Sequence, residues 1–428
     1  MDFLIEYAHF LIRWLHVIAA IAWIGESIYF VMLDNSLKPA SDAEGKKKGF
    51  LGELYAVHGG GFYHYQKYLT NPPKIPADLH WSFWKSYVTW LSGFALFIVV
   101  YMLNSSFLLV DPNLSWSWFA KMDGMTANLV VVLFLLAGWL VYDQLCKLIS
   151  PNMEQDGLLS IAVAVMMIAV AYLSTHMFHA RAAFLITGAV MATCMSANVF
   201  FWIIPGQRRM VKALKAGEAV DGLDGKRGKQ RSLHNTYFTL PVVILMLSNH
   251  YSFIYSHEFS WLFMVGFIFA GALIRQYFVS MHAGKNQAPL LVAGCVILLV
   301  IGFFAAPQNK SANAVQPSAA ATTISADSTN KPPENTLAAA TSGNAALGQQ
   351  DEFNKVVEVI KNRCTACHAD QGTIMAAPQK GLVLTNPTNI QLNAERIKKE
   401  VNSKNMPLGN VTQMTDDERL LISNWVVQ

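Results

Sequence analysis

What most constrains this chain is a series of apolar runs of about the length that crosses a lipid bilayer. A helix rises 1.5 Å per residue, so about 20 mainly apolar residues span the hydrocarbon core. Eight runs approach that length: 8–33, 86–104, 127–148, 158–173, 182–204, 237–251, 259–277 and 289–304. The fourth and sixth are the short ones. Only 14% of the 428 residues are charged, against about 25% in a soluble domain. Residues 1–306 therefore read as an all-α, multi-span transmembrane helical bundle of about eight spans. The N-terminal Met1-Asp2-Phe3-Leu4-Ile5-Glu6 lacks a basic region and a small-residue cleavage site. The first run is thus expected to be a retained span and not a signal peptide.

The composition changes after the last run. Residues 307–347 are rich in Ala, Ser, Thr, Asn and Pro and are expected to be a disordered tether. A flexible chain of about 40 residues has a typical span of roughly 35 Å. Residues 348–428 then form a second domain. It holds Cys364-Thr365-Ala366-Cys367-His368, the Cys-x-x-Cys-His attachment signature of c-type haem. Two thiols one helical turn apart can each form a thioether to a haem vinyl group. The adjacent His368 then reaches the iron as proximal ligand. A redox dithiol or half a zinc site is the competing reading. The following His, and the lack of a second Cys pair downstream, argue against both.

Met406 is the candidate sixth ligand. It lies far enough beyond His368 for the chain to wrap a haem, and a thioether opposite His raises the reduction potential. Met375 and Met414 are its rivals. Asn405-Met406-Pro407 resembles the ligand loop of small class I cytochromes c. Helices are expected over residues 351–363, with Phe353, Val356, Val357 and Ile360 on one face, and after a Thr415/Glu418 capping box. The second helix would carry Leu420, Leu421, Ile422 and Trp425. The pair resembles the crossed terminal helices of that family, which implies one covalent haem c.

Haem attachment to this motif in bacteria takes place outside the cytoplasmic membrane. With an even number of spans, the N- and C-termini are then both periplasmic and the protein sits in the bacterial inner membrane. Loop 34–85 would be cytoplasmic, with Lys38, Lys46, Lys47, Lys48, Lys67 and Lys74. Loop 205–234 would be too, with Arg208, Arg209, Lys212, Lys215, Lys226, Arg227, Lys229 and Arg231. The periplasmic connections carry only Lys121 and Arg181. This is the positive-inside pattern, reached without using the haem. The expected partner is membrane lipid; a net charge of +4 gives no reason to expect nucleic acid. Gly59-Gly60-Gly61 lacks the spacing and context of a nucleotide-binding loop. Cys146, Cys194 and Cys295 stand alone in apolar runs and read as small core residues. Trp14, Trp23, Trp81, Trp84, Trp90, Trp116, Trp118 and Trp261 read as aromatic belts at span ends.

Ionisable groups within spans are costly, so each is a site candidate. Arg13 and His16 lie three apart on one helical face, with His9 further along and Glu26 deeper in the same span. His9, His16, His176, His179, Arg181, His250 and His257 fall toward the expected periplasmic side. His58, His64 and His80 fall on the other. Three readings stand: a b-type haem between spans, with His16 opposite His176, His179 or His250; a pocket for an anionic substrate; or interfacial histidines satisfied by water and headgroups.

The first span, Ile12-Arg13-Trp14-Leu15-His16-Val17-Ile18-Ala19-Ala20-Ile21-Ala22-Trp23-Ile24-Gly25-Glu26, resembles the opening of the bacterial membrane-bound urate oxidase (urate hydroxylase) family. Those proteins join a multi-span domain to a C-terminal cytochrome c. Lys404-Asn405-Met406-Pro407-Leu408-Gly409-Asn410 is similar to their ligand loop, with Leu408 where Pro is expected, and Gly59-Gly60-Gly61-Phe62-Tyr63 is similar to their first cytoplasmic loop. The resemblance implies oxidation of urate to 5-hydroxyisourate, with water supplying the oxygen. Electrons would leave through the c-haem to a respiratory-chain acceptor, a soluble cytochrome or a terminal oxidase. No motif fixes the catalytic residues; the candidates are Arg13, His16, His176, His179, Arg181 and His250. The first-span pattern also resembles some small membrane haem proteins. That keeps two alternatives: a membrane-anchored cytochrome relaying electrons from a b-haem or quinol to an oxidase, and, more weakly, a transporter with a redox gate.

Overall fold

The structure is a computed structural model that describes residues 2–425 apart from 41–42, 69–71, 73, 113, 256, 307–337, 370–381 and 408–409. Contacts divide the chain into two units, 1–305 and 306–428.

The first unit is a bundle of long helices: α1 (Asp2–Ser36), α2 (Trp84–Val100), α3 (Gly124–Ile149), α4 (Asp156–Met177), α5 (Ala180–Ala197), α6 (Ile204–Ala216), α7 (Gly222–Leu247), α8 (Ser260–His282) and α9 (Ala288–Ala305). A π-helical stretch, Asn198–Ile203, fuses α5 to α6. Side-chain caps fix several starts. Asp123 accepts from Thr126 N ahead of α3, and Asp221 from Leu223 N ahead of α7. Among the described residues, seven helices are long and apolar enough to cross a membrane, counting α5 through α6 as one. The eighth expected run is the C-terminal half of α7. Its N-terminal half is polar, with Lys226, Arg227, Lys229, Arg231, His234 and Asn235, and α7 is not among the seven. It nonetheless returns along α5, with Asn235 bonded to Asn198 and Leu245 beside Gly188.

Close packing and interhelical hydrogen bonds join the helices. Trp90 Nε1 donates to Thr193 Oγ1 at 3.1 Å, which places Trp90 inside the bundle and not in a belt. Ser174 and Thr187 share a hydrogen bond at 2.8 Å between α4 and α5. Gly271 of α8 lies against the ring of Pro241 in α7; a Cβ there would come within 2.8 Å of Pro241 Cδ. Large apolar side chains such as Trp14, Leu15, Ile18 and Ile21 of α1 point outward, which is compatible with a membrane protein. Cys146 and Cys194 are buried, but Cys295 is exposed on α9, so it is not a core residue.

The structure adds one element to the expected all-helical fold. Strands β1 (Gly52–His58) and β2 (Gly61–Lys67) form an antiparallel hairpin. Gly59 and Gly60 both have positive φ, +57° and +80°, as a two-residue hairpin turn demands.

The second unit has its own core. Helices α10 (Ala338–Arg363), α11 (Ala394–Asn402) and α12 (Asp416–Asn424) enclose Phe353, Val356, Ile360, Ile397, Val401 and Ile422. Phe353 and Trp425 stack with ring centroids 5.3 Å apart, joining α10 to the chain end. The Thr415/Glu418 capping box is present. Of the apolar residues expected on this helix, Ile422 is buried while Leu420 is 58% exposed. The stretch 307–337 of the expected tether lies outside the described residues; α10 begins at Ala338, ahead of the expected start at 351.

Gly271→Val should force α7 and α8 apart, because the proline ring cannot yield. A loss of about 1–3 kcal/mol, read as a lower unfolding temperature of the detergent-purified protein, is expected.

Candidate functional site

In the second unit, α10 ends one residue before the Cys-x-x-Cys-His stretch, which folds as a tight turn. Cys367 N and His368 N both donate to Cys364 O, at 3.1 and 2.9 Å. Cys364 and Cys367 are free thiols. Burial pushes the Cys364 thiol up to about 12, and burial raises Cys367 as well. His368 Nδ1 lies 3.1 Å from the Leu382 carbonyl. A carbonyl only accepts, so Nδ1 carries the proton and Nε2 keeps the lone pair. Burial lowers the His368 pKa, and the Leu382 bond opposes the shift without cancelling it.

The Met406 loop is held from behind. Arg419, 9% exposed, donates to the carbonyls of Val401 at 3.1 Å and Met406 at 2.8 Å, and to Asn410 Oδ1 at 3.1 Å. Met406 N donates to Glu400 O at 3.0 Å. Met406 itself is half-buried. Its rival Met414 is 3% exposed and packs in the unit's core; Met375 lies outside the described residues. Among the described residues, no group of three or more His, Cys, Asp or Glu is arranged to hold a bare metal ion.

The candidates in the bundle are spread over several places. Arg13 is exposed and donates to His9 Nε2 at 3.0 Å. His16 turns inward against α2. Its Nδ1 donates to Thr89 O at 3.0 Å and lies 3.1 Å from Ser92 Oγ. The ring packs close to Gly93, where a Cβ would meet His16 Cε1 at 2.8 Å. His16 Nε2 is thus the lone-pair nitrogen. His176 sits at the end of α4, with Nδ1 donating to Tyr172 O at 2.7 Å. His179 caps α5, accepting from Arg181 N at 3.3 Å. Arg181 reaches Tyr101, while Asp111 stands near His179. Burial lowers the His179 pKa, Asp111 opposes that and Arg181 reinforces it. His250 is exposed at a helix end. Thr193 lies level with Trp90, so Gly93 and His16 sit about one turn nearer the start of α5, roughly 16 Å along the axis from His179. His16 therefore lies at a different depth from His179.

Two buried sites escaped the sequence reading. The larger is a network centred on Asp143 of α3. Arg231 donates to it at 2.9 Å, Trp202 Nε1 at 2.7 Å, and Lys147 pairs with it at 2.7 Å. Asn198 donates to Tyr142 Oη and Asn235 Oδ1, both at 2.9 Å, and Tyr142 donates to His234 Nδ1 at 2.7 Å. A cleft of about 190 Å³ lined by Lys147, Trp202, Arg227 and Arg231 opens beside it. The acidic Asp143 within an apolar run was the available signal. The second site is Arg275 of α8, 4% exposed. Its Nε and Nη2 are buried with no hydrogen-bond partner among the described residues.

A family model described as urate oxidase N-terminal matches residues 2–306. No curated protein and no solved structure matches the chain.

Arg419→Ala leaves three acceptors without their donor and should cost the second unit about 2–3 kcal/mol, measured by denaturant unfolding of the full chain. Acid should weaken the same unit through Glu418. Burial raises that carboxyl's pKa, but hydrogen bonds from Arg363 and the Thr415 backbone outweigh it and hold the pKa below 4.5. A depressed folded pKa means the stabilisation is present above the unfolded value and is lost as pH falls through the folded one. Arg363→Gln should flatten the fall in unfolding temperature below about pH 4.5.

Proposed function

The chain belongs to the urate oxidase N-terminal family, and from that premise we propose that it is a membrane-bound oxidoreductase that converts urate to 5-hydroxyisourate. The balance is urate plus water giving 5-hydroxyisourate, two protons and two electrons. A c-type haem on the chain's own C-terminal unit would supply one-electron acceptance, taking the two electrons singly on their way to a soluble cytochrome or terminal oxidase of the respiratory chain. In this reading the protein lies in the bacterial inner membrane with both termini periplasmic. The observation that carries the proposal is the family match across the whole helical unit.

Several features of the second unit support haem. Cys364 and Cys367 would hold it covalently, and their thiols are free in a single turn with His368. His368 presents Nε2 because Nδ1 is committed to Leu382 O, the arrangement that orients metal-ligating imidazoles. Met406 would be the second axial ligand, on a loop that Arg419 fixes through its carbonyl. Bound there, a haem with His and Met ligands supplies one-electron acceptance at raised potential. In the bundle, His16 is the candidate to take a proton from substrate, since its Nδ1 is committed to Thr89 O and its Nε2 keeps the lone pair.

The same His16 geometry favours a second reading, in which Nε2 ligates a b-type haem and the protein relays electrons. Anaerobic addition of urate to the oxidised protein, with a pyridine haemochrome on the same sample, separates the two. Full reduction by urate with one c-type haem per chain is expected. Reduction by dithionite but not urate, with a b-haem signal that His16→Ala abolishes, would establish the relay instead.

A further inference from the structure

Among the described residues, the buried carboxylates Asp143 and Asp224 of the bundle are matched by cations, and the buried Arg275 is not. Asp143 meets Arg231 at 2.9 Å and Lys147 at 2.7 Å, and Asp224 meets Arg209 at 2.6 Å. The half-buried Glu26 meets Lys85 at 2.9 Å. Arg275 has no acidic partner among the described residues, and two of its donor nitrogens, Nε and Nη2, are buried and unused. A buried guanidinium without a counter-charge is strongly unfavourable. In a membrane span such a group marks a functional site.

Polar groups of α7 and α8 cluster near it. Tyr237 of α7 lies within electrostatic reach of Arg275, and its hydroxyl donates to Gln276 Oε1. One turn along α7, Pro241 has no N–H to give, so the Tyr237 carbonyl has lost its helical partner. Close packing of Gly271 on Pro241 brings the two backbones together at this depth. A fork of donors, an amide, a hydroxyl and a released carbonyl thus fall within about a turn of one another. A polar row then leads to the end of the helix. Gln276 Nε2 donates to Ser280 Oγ at 3.1 Å, and Ser280 donates to Gln287 Oε1 at 2.8 Å.

We propose that Arg275, with Tyr237 and Gln276, is the subsite that takes the substrate as an anion. The ligand class is a planar, singly charged heterocycle. Its ring carbonyls or deprotonated nitrogen face the guanidinium fork, and its N–H groups face the amide and the released carbonyl. The assignment rests on the urate reading above and names the residues that would recognise urate.

The test uses the full-length protein, with urate as ligand, at constant ionic strength. Urate binding is measured by equilibrium dialysis, turnover by haem reduction, and unfolding temperature with and without urate. Arg275→Met should weaken urate binding by roughly thirtyfold or more, as expected when charge-assisted hydrogen bonds are lost. Dithionite should still reduce the haem fully. The ligand-free variant should unfold at a higher temperature than wild type, because an unpaired buried charge has gone; a structural arginine would give the opposite. Arg275→Lys restores charge without the fork and should fall between. Tyr237→Phe should raise KM a few-fold with little change in kcat, and with Arg275→Lys it decides the matter if the Met variant does not fold. Wild-type binding in Arg275→Met, or a KM unchanged in both other variants, overturns the subsite and leaves the urate reading intact. Binding that depends on Arg275 without any haem reduction in the wild type keeps the subsite and overturns the redox reading.

Discussion

A charge inside a bundle that excludes water must be answered by another side chain, and the Asp143–Arg231 pair is where this rule shapes the bundle most. Charges interact far more strongly in a low dielectric, and each costs far more when left alone. Asp143 is therefore met by three donors, Arg231, Trp202 and Lys147. Those donors come from α3, the π-helical stretch and α7, so satisfying one carboxylate fixes three segments. Asn198 extends the lattice to Tyr142 and Asn235. Against this background the unanswered guanidinium of Arg275 stands out as a cost that the fold does not cover.

The long apolar helices, the helix leading into Cys364 and the capping box at Thr415 were legible in the sequence. Each is a local pattern whose physics is set by neighbours in the chain. The polar sites were less legible. Arg13 and His16 share a helical face by spacing, yet Arg13 turns to His9 at the surface while His16 turns to α2. That choice depends on Gly93, 77 residues away in the chain and visible only once the helices pack. Arg275 falls inside the expected run 259–277, but nothing local says that no carboxylate will reach it. The β1–β2 hairpin was within reach of sequence reasoning. Alternating Tyr55, Val57, Phe62 and His64 around a Gly-Gly turn is a hairpin signal, hidden by attention to the glycines alone.

The two units divide the labour that the proposed reaction needs. The helical unit offers buried donors with no other employment, suited to hold a charged, flat molecule out of water. The second unit offers two free thiols, an imidazole oriented by a carbonyl and a methionine loop braced by Arg419. Neither set performs an oxidation by itself. Binding without an acceptor leaves urate unchanged, and an acceptor without a binding site shows no preference for it.

The π-helical stretch Asn198–Ile203 has a consequence for chain length. Such a turn holds one residue more than the α-helix needs, so the faces before and after it are offset by about 100° from a continuous helix. Before it, Gly188 and Cys194 face α7 and α3. After it, Arg209 faces Asp224. Deleting any single residue of the stretch would restore regular geometry, and one of those two faces would then swing off its partner. This span is therefore specified in its residue count as well as its polarity, and related chains that keep both contacts must keep the extra residue.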